Sequence, residues 1–177
     1  MRLETERLLL RIPDERDLDG YLAVYGDPEV MRFLKTGMMT RADAVAGVER
    51  MRRHWERHGV GLFSVVRKED ERLLGRVGFL LWESVRWVNA IREDIEGDLE
   101  LEVGWTLGSE YWSQGYATEA ALACRDLALG ELGWTRLVSL IAHDNAASIR
   151  VAEKIGETYE RDVVVHGVQT RLYSLDR

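Results

Sequence analysis

The spacing of apolar positions changes along the chain, and near the start it predicts helices. Apolar residues over 8–12 favour a first strand, which ends at Pro13. Helical spacing then predicts a helix over about 15–25, a helical turn over 29–34 and a longer helix over about 40–57. The first part of the chain is therefore expected to contribute one strand and several helices.

Strands dominate the middle of the chain. Over 99–107, Leu101, Val103 and Trp105 alternate with polar or small residues, which is typical of a strand with two unlike faces. The stretch 84–98 has no clear period and is interpreted as an inserted loop or a short helix covering one face of the sheet. The other predicted elements are strands over 62–66, 73–82 and 137–141, helices over 116–131 and 145–156, and a closing hairpin of strands 159–165 and 169–175.

This order of elements predicts the fold class. Helices and strands are interspersed, and several strands follow one another through short turns, so we expect an α/β fold of the α+β type. Its centre would be a mixed, mostly antiparallel sheet flanked by helices. A length of 177 residues suits one domain spanning 1–177.

Charge and cysteine content narrow the classes of partner. The formal net charge is −7, which disfavours binding to nucleic acid or to an anionic membrane and favours a cationic partner such as an amine. An acidic balance that serves only solubility is the alternative. The single cysteine, Cys124, permits no intrachain disulfide, and its place on an apolar helical stripe predicts a buried, inert thiol.

Targeting signals are not apparent in the sequence. The charged start of the chain has no apolar core of a signal peptide, and no apolar run approaches the roughly 18 residues of a spanning helix. We therefore expect a cytoplasmic protein that does not enter a membrane. His54, His58, His143 and His166 show no metal-ligand spacing, so no metal is expected.

A strand, a polar loop and a helix follow one another around Gly115. The first N–H groups of a helix lack intrahelical partners and lie at the positive end of its dipole, which favours a phosphate or pyrophosphate. Gly115 lets the backbone approach such a group, and Ala117 leaves space beside it. The alternative is an ordinary strand-to-helix turn, where glycine is common.

Four blocks of sequence carry a family resemblance. ETERLLLR at 4–11, EVGW at 102–105, GYATEA at 115–120, and NAASIR with EKIG at 145–150 and 153–156 occur in this order along nearly the whole chain. They resemble the GCN5-related N-acetyltransferase (GNAT) superfamily, and within it the branch of ribosomal-protein-alanine N-acetyltransferases. Trp112 departs from the family pattern, which has Gln or Arg three residues before the glycine.

The resemblance implies a cofactor site. Acetyl-CoA would be the co-substrate, the strand 99–107 would splay from the strand 137–141, and the pantetheine arm would lie in the gap like an added strand. The loop amides would hold the pyrophosphate. The implied cofactor-binding residues are Val103, Trp105, Ser113, Gln114, Gly115, Tyr116, Ala117, Thr118 and Asn145.

Two residues are predicted to act in catalysis. Direct attack of an amine on a thioester needs a general base, and Glu102 on the strand before the splay is the first choice. Glu100 shares its face of the strand and is the alternative base, while a solvated acidic stripe is the non-catalytic interpretation. The resemblance places Ser148 at the thioester sulfur, as an acid or a contact. Asn145 is explained equally by helix capping.

The resemblance leaves the acceptor and the activity open. It implies transfer of acetyl to a primary amine, on a protein N-terminus or a small cationic molecule. A catalytically silent CoA-binding module of the same fold and an acyltransferase for longer acyl-CoA are the alternatives. The loop lacks the lysine of a P-loop, which disfavours a nucleotide-binding protein. A homodimer is the default assembly.

Overall fold

The computed structural model describes residues 1–34, 39–91 and 97–177. Within these residues, strands from both ends of the chain join one sheet, in the order β1-β2-β3-β4-β6-β7-β9-β8, with β5 paired to β4. The strands are β1 (Arg2–Glu4), β2 (Leu8–Arg11), β3 (Leu62–Arg67), β4 (Leu73–Glu83), β5 (Val88–Asn89), β6 (Leu99–Leu107), β7 (Arg136–Ile141), β8 (Thr158–Val165) and β9 (Val168–Asp176).

The strand pairs are antiparallel except for β6 and β7, which are parallel. The predicted fold class, a mixed and mostly antiparallel sheet flanked by helices, is confirmed. The helices are α1 (Leu18–Tyr25), α2 (Pro28–Leu34), α3 (Arg41–His58), α4 (Tyr116–Leu129) and α5 (Ala146–Lys154).

Capping residues explain where the helices begin. Thr40 and Asp43 form a reciprocal capping box at the start of α3, and Gly59 ends that helix in the left-handed region with φ of 68°. Asp14 caps a short 3-10 turn that leads into α1. These local signals are legible in the sequence because each involves residues only a few positions apart.

The core lies on both faces of the sheet. On one face α4 packs against strand residues such as Phe63, Leu101 and Val103, and Cys124 is fully buried there. Burial raises the pKa of the Cys124 thiol, which agrees with the predicted inert role. On the opposite face, α1, α2 and α3 pack around Leu62. The helices therefore flank the sheet, leaving the gap between β6 and β7 to be described with the site.

Two strands escaped the sequence prediction. β1 is only three residues long, too short for a period to be visible, and β5 is two residues long. β5 lies in the stretch 84–98, which in its described part forms turns and this short strand rather than a helix. The part of that prediction that falls on 92–96 lies outside the described residues. The remaining predicted elements agree with the observed ones to within two residues at each end, except the helix predicted over about 15–25, where Glu15–Asp17 form a 3-10 turn and α1 begins only at Leu18.

No helix in the described ranges is both long and apolar enough to cross a membrane.

Candidate active site

The gap between β6 and β7 is the first feature of the site. Over the described length of both strands, their Cα register holds at a single pair, Glu102 and Val138. The Ser139 hydroxyl donates to the Val103 carbonyl at 2.7 Å, next to this point. A cavity of about 180 Å³, called the splay cavity below, opens beyond it. The splay predicted for these strands is therefore present.

A larger cleft of about 490 Å³ adjoins the start of α4. Gly115 stands at the N-cap with φ of 82° and supplies no side-chain cap. The first helical hydrogen bond runs from the Glu119 amide to the Gly115 carbonyl at 2.9 Å, so the amides of residues 116–118 have no intrahelical acceptor. In contrast to α3 and α5, this helix presents free amides and a positive dipole end to an open cleft.

The loop before α4 is held from the N-terminal part of the chain. Arg7 Nε donates to Glu119 Oε2 at 2.7 Å, and Thr5 Oγ1 donates to Glu119 Oε1 at 2.5 Å. Arg7 Nη1 also donates to the Gln114 carbonyl at 3.0 Å, and its guanidinium lies 4.3 Å from the centre of the Tyr116 ring. Two of the blocks that carry the family resemblance therefore meet in space, 112 residues apart.

The start of α5 joins the two cavities. Asn145 and Ser148 line both of them. The Asn145 Oδ1 accepts from the Ser148 amide at 3.0 Å, which is the predicted helix cap. Trp105 Nε1 donates to Ser148 Oγ at 3.3 Å, which orients the hydroxyl at the junction of cleft and splay cavity. Ser148 and Asn145 thus lie where the cleft and the splay cavity meet, and their roles stay predictions.

Glu102 lines the splay cavity and is only 9% exposed. Its Oε2 accepts from Trp82 Nε1 at 2.5 Å. Burial raises the pKa of the Glu102 carboxyl from 4.5 to about 7, against the opposing effects of the Trp82 hydrogen bond and the Arg76 charge. The interpretation of Glu102 as part of a solvated acidic stripe is therefore wrong, because its side chain is buried and hydrogen-bonded to Trp82 of β4.

Glu100 has a different environment on the same strand. Its carboxylate lies 3.1 Å from Arg136 Nε, and Arg136 also pairs with Glu160 and Asp176. The ion pair orients the Glu100 carboxylate toward Arg136, and Glu100 does not line the splay cavity. Of the two candidate bases, the geometry favours Glu102.

The structure brings most of the predicted cofactor residues together. Val103 lines the splay cavity, and Trp105 lines both this cavity and the cleft. Gln114 differs, because its side-chain amide is turned away and donates to the Glu110 carbonyl at 2.8 Å. Tyr116 lines the cleft but is only 7% exposed, and its ring packs in the core. The other predicted residues that line the cleft are Ser113, Gly115, Ala117, Thr118 and Asn145.

Several residues of the site were missed by sequence reasoning. Arg32, Arg150 and Lys154 line the cleft and supply the positive charge that the loop itself lacks. The spacing of Arg150 and Lys154, one helical turn apart, was a signal that could have found them. Arg76 of β4 lines the splay cavity, and no sequence signal marked it.

Glu157 is a second buried acid near the site. It is 2% exposed, and among the described residues neither carboxyl oxygen has a hydrogen-bond partner. Burial raises the pKa of Glu157 to about 8, and the charge of Glu102 adds to this rise. At neutral pH its carboxyl is therefore mainly protonated.

Metal ligands are not gathered anywhere in the described ranges, where no group of three or more His, Cys, Asp or Glu could hold an ion. His54 is buried, and burial lowers its pKa to about 4, so its imidazole is neutral.

Comparison with known proteins agrees with this geometry. The YkkB protein of Bacillus subtilis (strain 168) is 32% identical over 165 residues, which cover 92% of this chain and 88% of YkkB. The structure of an acetyltransferase from Agrobacterium tumefaciens str. C58 has a TM-score of 0.79 at 27% identity and covers 100% of this chain and 95% of that one.

The resemblance to ribosomal-protein acetyltransferases extends to the fold. RimL, a ribosomal L7/L12 alpha-N-protein acetyltransferase solved in complex with coenzyme A, has a TM-score of 0.77 at 16% identity and covers 99% of this chain and 98% of its own. The family model of the acetyltransferase (GNAT) domain matches residues 7–158. Since this match spans most of the chain and includes both the splay and the α4 loop, the chain belongs to the GNAT acetyltransferase family.

Proposed function

We propose that this protein is an N-acetyltransferase that transfers acetyl from acetyl-CoA to a primary amine by direct attack within one ternary complex. The observation that carries the proposal is the placement of Glu102, a buried carboxyl with a pKa raised to about 7, in a cavity that meets the cleft beside α4. A base whose pKa lies near the working pH is suited to proton transfer.

The residues of the cleft fit coenzyme A. The free amides of 116–118 suit its pyrophosphate, and Arg150 and Lys154 suit its further phosphate charge. The open edges of β6 and β7 suit the extended amide-bearing pantetheine arm, with Val103 and Asn145 beside it. Acetyl-CoA supplies the activated acetyl group at the junction of the two cavities.

Side chains that line the splay cavity then carry out the proton transfers. Glu102 accepts the proton of the incoming ammonium, since only the neutral amine is nucleophilic. Ser148, oriented by Trp105, lies where a hydroxyl can donate to the leaving sulfur. The buried setting of Glu102 strengthens its interaction with the amine because little water competes there.

The remaining parts of the proposal concern the acceptor and the setting. The acceptor amine belongs to a protein N-terminus or to a small molecule, and it is cationic before it loses its proton. We further propose that residues 1–177 act as one domain, in the cytoplasm, and as a homodimer. Light scattering of the purified protein measures the assembly state.

The test is an acceptor panel with acetyl-CoA as the donor. Purified protein is incubated with peptides bearing free N-termini and with small amines, and release of free thiol and acetylated product are both measured. Acetylation of at least one amine supports the proposal. Binding of coenzyme A without any product indicates the silent module instead, and turnover only with longer acyl-CoA identifies the other alternative.

A further inference from the structure

Arg76 lies in the same cavity as Glu102 without a role in the chemistry described above. It stands on β4 opposite Thr106 of β6, and Leu80 of the same strand stands opposite Glu102. Both charged side chains line the splay cavity. Arg76 and Glu102 therefore present opposite charges to one small space from two points along the same pair of strands.

The guanidinium of Arg76 is unpaired within the described part of the chain. It stacks over the Tyr25 ring, with its central carbon 5.1 Å from the ring centre, and no carboxylate among the described residues lies within ion-pair distance. Other half-buried arginines are paired, as Arg136 is with three carboxylates and Arg11 with two. A partly desolvated guanidinium without an anion is costly, and its forked donors match a carboxylate.

The volume of the splay cavity limits the size of the ligand that carries such an anion. Sites for drug-sized ligands span roughly 300–1,000 Å³, whereas the splay cavity measures about 180 Å³ and also has to admit the thioester end of the proposed cofactor. Its wall includes the apolar residues Leu62, Leu80 and Phe33, which favour a compact ligand with a short carbon skeleton between its charged groups.

We propose that the acceptor is a small amino acid, whose carboxylate binds Arg76 and whose amine faces Glu102. This inference rests on the proposed N-acetyltransferase function and selects among its acceptors. A free amino acid carries both charges a few bonds apart, while a protein N-terminus has its carboxyl group blocked in a peptide bond. Arg76 is then the residue that determines specificity.

The test compares free amino acids with their matched carboxamides, and with peptides that begin with Asp or Glu. Wild-type kcat/KM is expected to be ~10- to 100-fold higher for the acids than for the amides, the size of a charge-assisted hydrogen bond. In Arg76→Gln this ratio is expected to fall to about one, mainly through a higher KM for the acids. Arg72→Gln, on the exposed turn before the same strand, is the matched control and should keep the wild-type ratio.

The outcomes separate this inference from the proposed function. The thermal shift caused by coenzyme A is measured for each variant, so that misfolding of Arg76→Gln is recognised. If Arg76→Gln does not fold, Arg76→Lys, which keeps the charge, is used in its place. Arg76→Lys should also lower the ratio of kcat/KM for acids to that for amides. Equal use of acids and amides, or an unchanged ratio in both Arg76 variants, overturns the inference alone. Preference for acidic peptides assigns the carboxylate to a peptide side chain and overturns the proposal that the acceptor is a free amino acid. Absence of any acetylation overturns both proposals.

Discussion

At the scale of single residues, burial separates two carboxylates that the sequence presents as equivalent. Glu100 and Glu102 share one face of β6, but Glu100 pairs with Arg136 at 3.1 Å while Glu102 is covered and hydrogen-bonded to Trp82. Desolvation raises the pKa of Glu102 to about 7. The difference arises from the neighbours that each residue acquires in the sheet.

Glu102→Gln is expected to lower kcat by ~10²- to 10⁴-fold at pH 7, because the amide cannot accept the proton of the amine. Raising the pH should rescue the variant in part, as more of the amine is then neutral. The wild-type rate should rise as the pH passes through about 7, where Glu102 becomes ionised. Steady-state kinetics between pH 5.5 and 9 measure both effects.

Glu100→Gln is the matched control on the same face of β6. It should keep kcat within a few-fold, since its carboxylate is held by Arg136. Loss of activity in Glu100→Gln with near-normal activity in Glu102→Gln would show that the wrong carboxylate has been chosen. Full activity in both would leave water or a backbone carbonyl as the proton acceptor.

Glu157 is expected to make stability depend on pH. The folded-state pKa is raised from 4.5 to about 8, so its contribution to stability is fully present below about 4.5 and is lost as the pH rises through 8. At roughly 1.4 kcal/mol per pKa unit, the loss reaches several kcal/mol. Denaturant unfolding at pH 5, 6.5 and 8 should show a smaller decline for Glu157→Gln than for the wild type.

The exposed Glu153, one turn earlier, supplies the comparison for Glu157. Glu153→Gln should reproduce the wild-type decline. The raised pKa of Glu102 acts in the same direction, so a residual slope is expected in Glu157→Gln. A decline as steep as that of the wild type would mean that Glu157 is not the titrating group.

At the scale of elements, the α4 loop depends on contacts from the turn between β1 and β2. The Arg7 side chain donates to Glu119 of α4 and to the Gln114 carbonyl, and the Thr5 hydroxyl also donates to Glu119. These hydrogen bonds of Arg7 and Thr5 are called the brace below. The loop contains Ser113 with φ of 60°, a conformation that costs free energy and needs support from its surroundings. The brace therefore holds the free amides of α4 in position.

Arg7→Ala is expected to weaken coenzyme A binding by about tenfold, because the loop loses a charged hydrogen-bond network without losing a phosphate contact. Isothermal titration calorimetry measures the change. Arg2→Ala removes an arginine from β1 whose exposed partner is Glu4, and it should leave the affinity unchanged. An equal loss in both variants would point to general destabilisation of the N-terminal strands.

At the scale of the whole molecule, the proposed cofactor site connects β6, β7, α4 and α5, which lie on both sides of the splay. A ligand that binds only the folded state stabilises all of these elements together by mass action. The strands meet at a single register pair, so few backbone hydrogen bonds join the two parts of the sheet there. A coenzyme A molecule bound between β6 and β7 is therefore expected to stabilise the contact between these two strands.

Coenzyme A at about 100 times its Kd is expected to raise Tm by about 5 to 10 °C, from ~2.7 kcal/mol of binding free energy. Gly115→Val should reduce this shift by crowding the loop. Gly133→Val is the control, because Gly133 also has positive φ (70°) but lies outside the cleft residues and meets no atom within 4 Å of an added Cβ. A Tm that does not move at saturating coenzyme A would contradict the proposed cofactor.

The sequence by itself determined the element order, the helix caps, the fold class and the position of the α4 loop. These follow from spacing and capping between residues a few positions apart, and the family blocks placed them in one architecture. Glu102, Asn145 and Ser148 were also identified from the sequence, and all three line the splay cavity. The role of Glu102 was inferred from its residue type and strand position, whereas the roles of Asn145 and Ser148 were implied by the family resemblance.

Tertiary structure alone decided which of these residues is buried, paired or free. Contacts between distant segments include the hydrogen bond from Trp82 to Glu102, the bond from Arg7 to Glu119 112 residues away, the burial of Glu157 and the stacking of Arg76 on Tyr25. The short strands β1 and β5 are likewise defined by their partners. Burial and ion pairing are properties of the folded neighbourhood, and they set pKa and specificity through desolvation and charge contacts that no local period encodes.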